Sequence, residues 1–275
     1  MASPLMHSST FRAFEHAGWE HIPTRYHEAF GYLTSQAIES LLEAVDVRRG
    51  VRVLDVATGP GYVAAAAAQR GASVVGVDFS AAMVTEARRH HPTVVFQEGD
   101  AEALPLPDHS FDAVVMNFGL LHLGRPEQAL AEAHRVLRVG GKLAFTVWAP
   151  PEDAVGFGLV LRAIQDHGSL QVPLPPGPPF FRFSDPAECR RTLLEARFMA
   201  PQVRRVPQTW RLRSPDALVE IMHESTVRTA GLLRAQTPEA LQAIHAAIRE
   251  ACGHYQHGGT IELPMPAVLA SAIKR

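Results

Sequence analysis

The sequence predicts an α/β fold in which a parallel β-sheet is covered by helices. Three observations carry this. Between residues 51 and 148, short apolar segments alternate with helical ones, the rhythm of βαβ units. The first apolar segment runs through a glycine-containing turn into alanines, "DVATGPGYVAAAAA" at 55–68, as a strand-to-helix turn does. The apolar segments are β-branched runs, such as "VRVLDVA" at 51–57, which suits strands buried on both faces.

The elements follow in order. "VRVLDVA" is the first strand, and "GYVAAAAAQRG" (61–71) is a helix ending at Gly71. "SVVGVD" (73–78) is the second strand. Ser80 caps the helix "AAMVTEARRH", because a serine hydroxyl satisfies a free N–H of the first turn. "TVVFQEGD" (93–100) and "FDAVVMNF" (111–118) are the third and fourth strands. "PEQALAEAHRVLR" (126–138) is an amphipathic helix that stops before Gly140–Gly141, and "KLAFTVWA" (142–149) is the fifth strand. Open parallel sheets bind ligands at the carboxyl ends of their strands.

After residue 150 the rhythm changes. Residues 152–169 read as helical. "VPLPPGPPFF" (172–181) contains Pro173, Pro175, Pro176, Pro178 and Pro179, which no helix or central strand accommodates; it is a loop or lid. Asp185–Pro186 opens a helix running to about Arg197, and "APQVRRVPQTWRL" (200–212) is strand-like. Ser214–Pro215 and Thr237–Pro238 open two more helices by the same signal. "GTIELPMPAVLASAIKR" closes with a turn and one or two strands. No repeat is visible. The organisation expected is a helical cap over 1–45, a binding core over 46–150, a lid insertion over 151–184, a core continuation over 185–212, a second helical insertion over 213–257 and closing strands over 258–275.

Composition narrows the class. The chain has 275 residues and a formal net charge of −2, so it projects no field that would attract nucleic acid. Two distant cysteines, Cys189 and Cys252, match no metal spacing and suggest a reducing compartment. The N-terminal "MASPLMHSSTFR" lacks the apolar run of a signal peptide. No stretch approaches the about 20 apolar residues of a membrane span. A cytoplasmic protein is expected, with no metal.

The glycine turn has more than one reading. Gly59, Gly61 and Ala64 satisfy G-x-G-x-x-G/A, with Asp78 placed 17 residues after Gly61 as a ribose acid. A tight turn with no ligand is the plainer reading. Two features argue against a dinucleotide. Asp55 lies at the start of the loop, where a carboxylate repels a pyrophosphate and suits an ammonium group. The acidic segment "EGDAEALPLPDHSFD" (98–112) follows strand three, where a carboxylate can accept from an adenine amino group.

Four motifs in order, "VLDVATGPG", "VVGVDFSAAMVTEAR", "EGDAEALPLPDHSFDAVVMNFGLLHL" and "RVLRVGGKLAFTVW", make residues 50–148 resemble the class I S-adenosylmethionine-dependent methyltransferases. The particular likeness is to the group around the ubiquinone/menaquinone biosynthesis C-methyltransferases. The resemblance implies a Rossmann-like, seven-stranded, mostly parallel sheet whose last strand is antiparallel, with helices on both faces and helical lid insertions. "IELPMPAVLASAIKR" suits that last strand. The implied cofactor is S-adenosylmethionine, leaving as S-adenosylhomocysteine.

Family roles carry over where residues match. Asp55 would sit by the cofactor's amino group, and the backbone of Ala57, Thr58, Gly59 and Gly61 beside its methionine part. Many relatives have glycine in place of Ala57. Asp78 would take both ribose hydroxyls as a charge-assisted pair, with Ser80 alongside and Phe79 and Met83 over the adenine. Asp100 would accept from the adenine amino group, flanked by Gly99 and Ala101. Asn117, Phe118 and His122 would border the sulfonium.

Methyl transfer from a sulfonium is an in-line displacement that depends on alignment and exclusion of water. It needs a base only if the acceptor loses a proton. His122 is the one candidate base, but relatives of differing chemistry share it, so it is read as shaping the pocket and no catalytic residue is assigned. In "EHAGWEHIPTRYHEAF", Tyr26 would contact the cofactor and Trp19 the acceptor; the plainer reading is that these aromatics pack a helix. Trp148, Phe180, Phe181 and His223 would line the acceptor pocket, whose aromatic character suits a small organic molecule. Members that methylate base amino groups carry Asn-Pro-Pro-aromatic after strand four, where this chain has Asn117–Phe118–Gly119–Leu120. A monomer or homodimer is expected. The rivals are a non-methylating reaction on the same cofactor, an NAD(P) oxidoreductase, and a non-catalytic cofactor-binding or scaffold protein.

Overall fold

The computed structural model describes residues 4–275. Strand β1 (Arg52–Val56) lies at the centre of the main sheet and pairs in parallel with β2 (Ser73–Asp78) on one side and β4 (Phe111–Asn117) on the other. Beyond β2 lies β3 (Val95–Glu98), and beyond β4 lies β5 (Leu137–Trp148). β10 (Ala267–Lys274) runs antiparallel between β5 and β6 (Phe198–Val206). The order is β3-β2-β1-β4-β5-β10-β6, so six strands share a direction and the last in sequence opposes them, as expected.

The helices between strands are α4 (Tyr62–Gln69), α5 (Ala81–His90) and α6 (Pro126–Val136). The chain steps outward from β1 through β2 to β3, then in the other direction from β4 to β5. Right-handed crossovers therefore place α4 and α5 on one face and α6 on the other. The first two strands of this exchange, β1 and β4, form the switch point where such sheets open a ligand crevice. β4 is buried over Ala113–Met116, the near-continuous burial its apolar run predicts.

Several boundaries differ from the sequence reading. α6 ends at Val136, and β5 begins at Leu137 rather than 142. Gly140, read as a helix stop, lies inside the strand at φ +78°, next to a register shift opposite Phe111–Ala113; it serves a bulge. The strand-like stretch 200–212 is two strands, β6 and β7 (Thr209–Leu212), separated at Pro207. β7 leaves the main sheet and joins β9 (Thr260–Pro264) and β8 (Gln256–His257) in a second, three-stranded sheet. Of the closing strands expected in the core, only β10 is there; β9 belongs to the small sheet.

The remaining helices lie outside these crossovers. They are α1 (Pro4–His21), α2 (Pro23–Ser35), α3 (Ile38–Ala44), α7 (Val155–His167), α8 (Pro186–Glu195), α9 (Pro215–Glu224), α10 (Arg228–Arg234) and α11 (Pro238–Gly253). α3 and α8 pack on the main sheet, while α11 packs against α7 and α9, so the two insertions support each other. α10 was not foreseen; its seven residues follow α9 too closely to show a period of their own. The N-terminal cap expected over 1–45 is α1 to α3 from residue 4 onward; residues 1–3 lie outside the described residues. α1 packs on α5, and its Gly18 meets Val227, whose methyl carbons would stand 2.6 Å from a Cβ there. Trp19, Met83 and Val227 form a small buried cluster at this junction. Among the described residues, no helix is long and apolar enough to cross a membrane, and no cluster of side chains could hold a metal.

Candidate active site

The cavity opens where β1 and β4 end. β1 delivers Asp55, and the chain then turns through Ala57 at φ +53°, Gly59 at φ +52° and Gly61 at φ +85° before entering α4. A Cβ on Gly59 would meet nothing within 4 Å, so its backbone faces open space. A Cβ on Gly61 would stand 2.7 Å from the Phe96 ring; that glycine is required by packing and does not line the cavity.

Two carboxylates dominate the electrostatics. Asp55 is 1% exposed. Its Oδ2 accepts from Thr58 Oγ1 at 2.6 Å and from the Ala64 N–H at 3.0 Å, while Oδ1 is buried without a partner among the described residues. Burial pushes Asp55 up to about 7, against those two hydrogen bonds. Asp78, at the end of β2, accepts the Gly59 N–H at 2.8 Å and the Ser80 N–H at 3.0 Å. Burial raises it to about 6. No arginine or lysine is paired with either among the described residues. Ser80 caps α5 as expected, accepting from the Met83 N–H at 3.1 Å, but does not itself line the cavity.

The rest of the wall forms around them. Phe79 and Met83 flank Asp78, and Gly99, Asp100 and Ala101 follow β3. Both Asp100 oxygens are engaged: Oδ1 accepts the Glu102 N–H at 2.9 Å, and Oδ2 pairs with Arg12 of α1 at 2.8 Å. Asn117, at the end of β4, accepts from Thr146 Oγ1 at 2.6 Å and donates to the Thr34 carbonyl at 3.1 Å, tying β4 to β5 and α2. Phe118 holds φ +55° and stacks on Trp148 with ring centroids 4.0 Å apart. Tyr26, pushed up to about 12 by burial, packs edge-on against Trp19.

Trp19, Trp148 and Phe180 also line the cavity, beside Phe157. Phe181 does not; it packs edge-on against Phe180 behind the wall. His223 is not brought there either. Its ring turns into the second insertion and meets His245 at 2.9 Å, a partner on α11 that no local pattern announced. Sequence reasoning missed Phe30 and Thr34 of α2, Tyr62 at the start of α4, and the run Ser225–Thr229 before and into α10. It also missed Glu15, which lies beneath this wall at 0% exposure and accepts from Trp19 Nε1.

The sheet has its antiparallel strand next to last, and acids wall the crevice at the ends of β1, β2 and β3; residues 54–145 match the family described as methyltransferase domain. Among curated relatives, the segment is similar to demethylmenaquinone methyltransferase of Renibacterium salmoninarum, 44% identical over 111 residues (40% of this chain and 47% of that protein). It is likewise similar to the Thermus thermophilus protein of the same name, 45% identical over 117 residues (40% and 53%). The chain thus spans about half the length of the curated relatives it matches. Among solved structures, the fold is shared with the YcgJ protein from Bacillus subtilis at TM-score 0.58 and 21% identity, over 87% of this chain and 98% of that one. It is shared also with Haemonchus contortus phosphoethanolamine N-methyltransferase 2 in complex with S-adenosyl-L-methionine, at TM-score 0.55 and 18% identity, over 92% and 56%.

Proposed function

We propose that the chain is an S-adenosylmethionine-dependent methyltransferase acting on a small organic acceptor beneath a lid of α1, α10 and the proline-rich segment. The observation that carries this is the pair of buried, cation-free carboxylates: Asp55 with its unpartnered Oδ1, and Asp78 beside the glycine turn. Buried charge calls for a partner. An amino acid's ammonium group suits Asp55, and a ribose suits Asp78, whose oxygens each retain a lone pair. A pyrophosphate suits neither, which disfavours the oxidoreductase reading.

When bound, S-adenosylmethionine supplies a methyl group on a positively charged sulfur. The chain's own residues would do the rest. Ala57, Thr58 and Gly59 border the methionine part, Phe79 and Met83 the adenine, with Asp100 and the Gly99–Ala101 backbone at its rim. Asn117 and Phe118 hold the floor near the reacting centre, and Tyr26 closes over it. Trp19, Trp148, Phe157 and Phe180 offer an apolar, aromatic half-cavity in which a flat acceptor is desolvated and aligned. The relatives' names point to a quinone precursor as the acceptor class. We place its work in the cytoplasm.

The test is calorimetric titration with S-adenosylhomocysteine and, separately, NADH. Micromolar binding of the first, lost in Asp78→Ala, is the expected result. Binding of NADH alone would sink the proposal.

A further inference from the structure

Glu15 is the most deeply buried acid near the cavity, at 0% exposure. It comes from α1 and collects three donors from distant parts of the chain. Oε2 accepts from Trp19 Nε1 at 3.0 Å and from His122 Nδ1 at 3.0 Å. Oε1 accepts from Arg228 Nε at 3.1 Å. Pinning a helix needs no such group, because apolar residues of the same volume do it as well or better. What a buried carboxylate does, and a leucine cannot, is fix an imidazole's tautomer.

With Nδ1–H donated to Glu15, the proton of neutral His122 is on Nδ1 and Nε2 keeps its lone pair. His122 lines the cavity. Trp19 at 4.8 Å and Phe180 at 5.9 Å between ring centroids hold the ring edge-on. Among the described residues Nε2 makes no hydrogen bond, so it is the nitrogen left for a ligand. Arg228, on the other oxygen of the same carboxylate, lines the same cavity. Its Nη2 donates to the Pro178 carbonyl at 2.9 Å, and its guanidinium lies 4.4 Å over the Phe11 ring; among the described residues Nη1 has no acceptor. One carboxylate thus sets a base and a cation side by side on the wall.

We propose that His122 is the general base of the transfer, that Glu15 is its positioning residue, and that the acceptor carries an ionisable hydroxyl whose oxygen faces Arg228. This rests on the methyltransferase reading above. The acceptor's O–H proton passes to His122 Nε2. The electron pair it leaves moves into the acceptor, whose oxygen, or a ring carbon conjugated with it, bonds to the methyl carbon; where carbon is methylated, the ring then loses its C–H proton to water and the oxygen regains one, restoring the aromatic hydroxyl. The carbon–sulfur bond breaks with its pair on sulfur, leaving a neutral thioether. His122 becomes an imidazolium opposite Glu15 and returns its proton to water after product leaves. Among the described residues, the charged groups facing His122 are Glu15 from α1, which also holds Arg228 of α10, and Asp78 from the end of β2.

The test has two readouts on the full chain. In the S-adenosylhomocysteine complex, ¹⁵N NMR of histidine-labelled protein, with the signal assigned by its loss in His122→Gln, should show His122 protonated at Nδ1 and bare at Nε2. The opposite tautomer overturns the proposal. In kinetics with 1,4-dihydroxynaphthalene as probe acceptor, His122→Gln should lower kcat by about 10²-fold or more, with KM for S-adenosylmethionine within about twofold. Glu15→Gln should lower kcat about tenfold and move the ascending limb of the pH profile to lower pH, because the imidazolium loses its counter-charge; Glu15→Asp should restore part of both. If Glu15→Gln does not fold, the wild-type tautomer and His122→Gln decide. Full activity in His122→Gln, or a loss of 1-aminonaphthalene turnover as large as the loss with 1,4-dihydroxynaphthalene, overturns the base while leaving methyl transfer intact. Failure of the wild type to bind S-adenosylhomocysteine overturns the methyltransferase reading itself.

Discussion

Thr58 Oγ1 donates to one oxygen of Asp55 at 2.6 Å, while the other oxygen of the same carboxylate is buried with no partner. The first contact fixes the side chain, and the second leaves it facing the cavity with unsatisfied acceptor capacity.

This has a consequence in pH. Burial raises Asp55 to about 7 and Asp78 to about 6. Between about pH 4 and pH 7 the folded chain therefore holds protons that the unfolded chain has released, and stability falls as pH rises through that window. An ammonium ligand favours the ionised form of Asp55, so binding below pH 7 must expel a proton. Affinity for S-adenosylhomocysteine should weaken toward tenfold per pH unit as pH falls from 7 to 5, with proton release visible in calorimetry across buffers of different ionisation enthalpy. Asp55→Asn should bind weakly at every pH, should lose the slope between pH 6 and pH 7, and should be more stable than wild type at pH 8. A flat wild-type profile would contradict the assignment.

Ala57 holds φ +53°, where an L-residue with a Cβ is strained by about 1–2 kcal/mol. Ala57→Gly should stabilise the chain by about 1 kcal/mol, net of the greater freedom of the unfolded glycine. The denaturation midpoint in urea reads this directly; an unchanged or lower midpoint rejects the strain.

Gly18 and Val227 bring α1 and the start of α10 together beside Trp19 and Met83. Gly18→Ala would place a methyl 2.6 Å from the Val227 side chain, an overlap that costs about 1–3 kcal/mol. Lower thermal stability and weaker S-adenosylhomocysteine binding are expected, both recovered in Gly18→Ala/Val227→Ala. No recovery in the double variant would place the defect elsewhere.

Arg12 and Asp100 join α1 to the loop after β3 at 2.8 Å. Both are partly exposed, and such pairs contribute about 0.2–1 kcal/mol. Arg12→Ala should speed S-adenosylhomocysteine release up to about fivefold in stopped-flow, with the difference shrinking at high salt. A release rate independent of both changes would mean α1 does not hold the ligand in.

The five parallel strands from residue 51 to 148, and the acids that end the first three, were legible because each is a local pattern: an apolar run, then a carboxylate, then a glycine or cap. What was not legible depends on contacts distant in sequence. Glu15 sits in an amphipathic helix where an acid reads as solvent-facing; its partners lie at residues 122 and 228. His223 was drawn toward the cavity by residue type alone, and only the packing of α11 shows that it meets His245. The stretch 200–212 reads as one strand because its pattern is continuous, yet at Pro207 it is divided between two sheets.

β10 runs between β5 and β6 and pairs with both. In a chain made from its N-terminus, β5 and β6 exist before the strand that joins them. Until residues 267–274 emerge, each presents a bare hydrogen-bonding edge beside apolar surface, the kind of edge that recruits other chains. The nascent protein is exposed to aggregation until that segment is made, and a truncation before residue 267 would remove the seam of its main sheet.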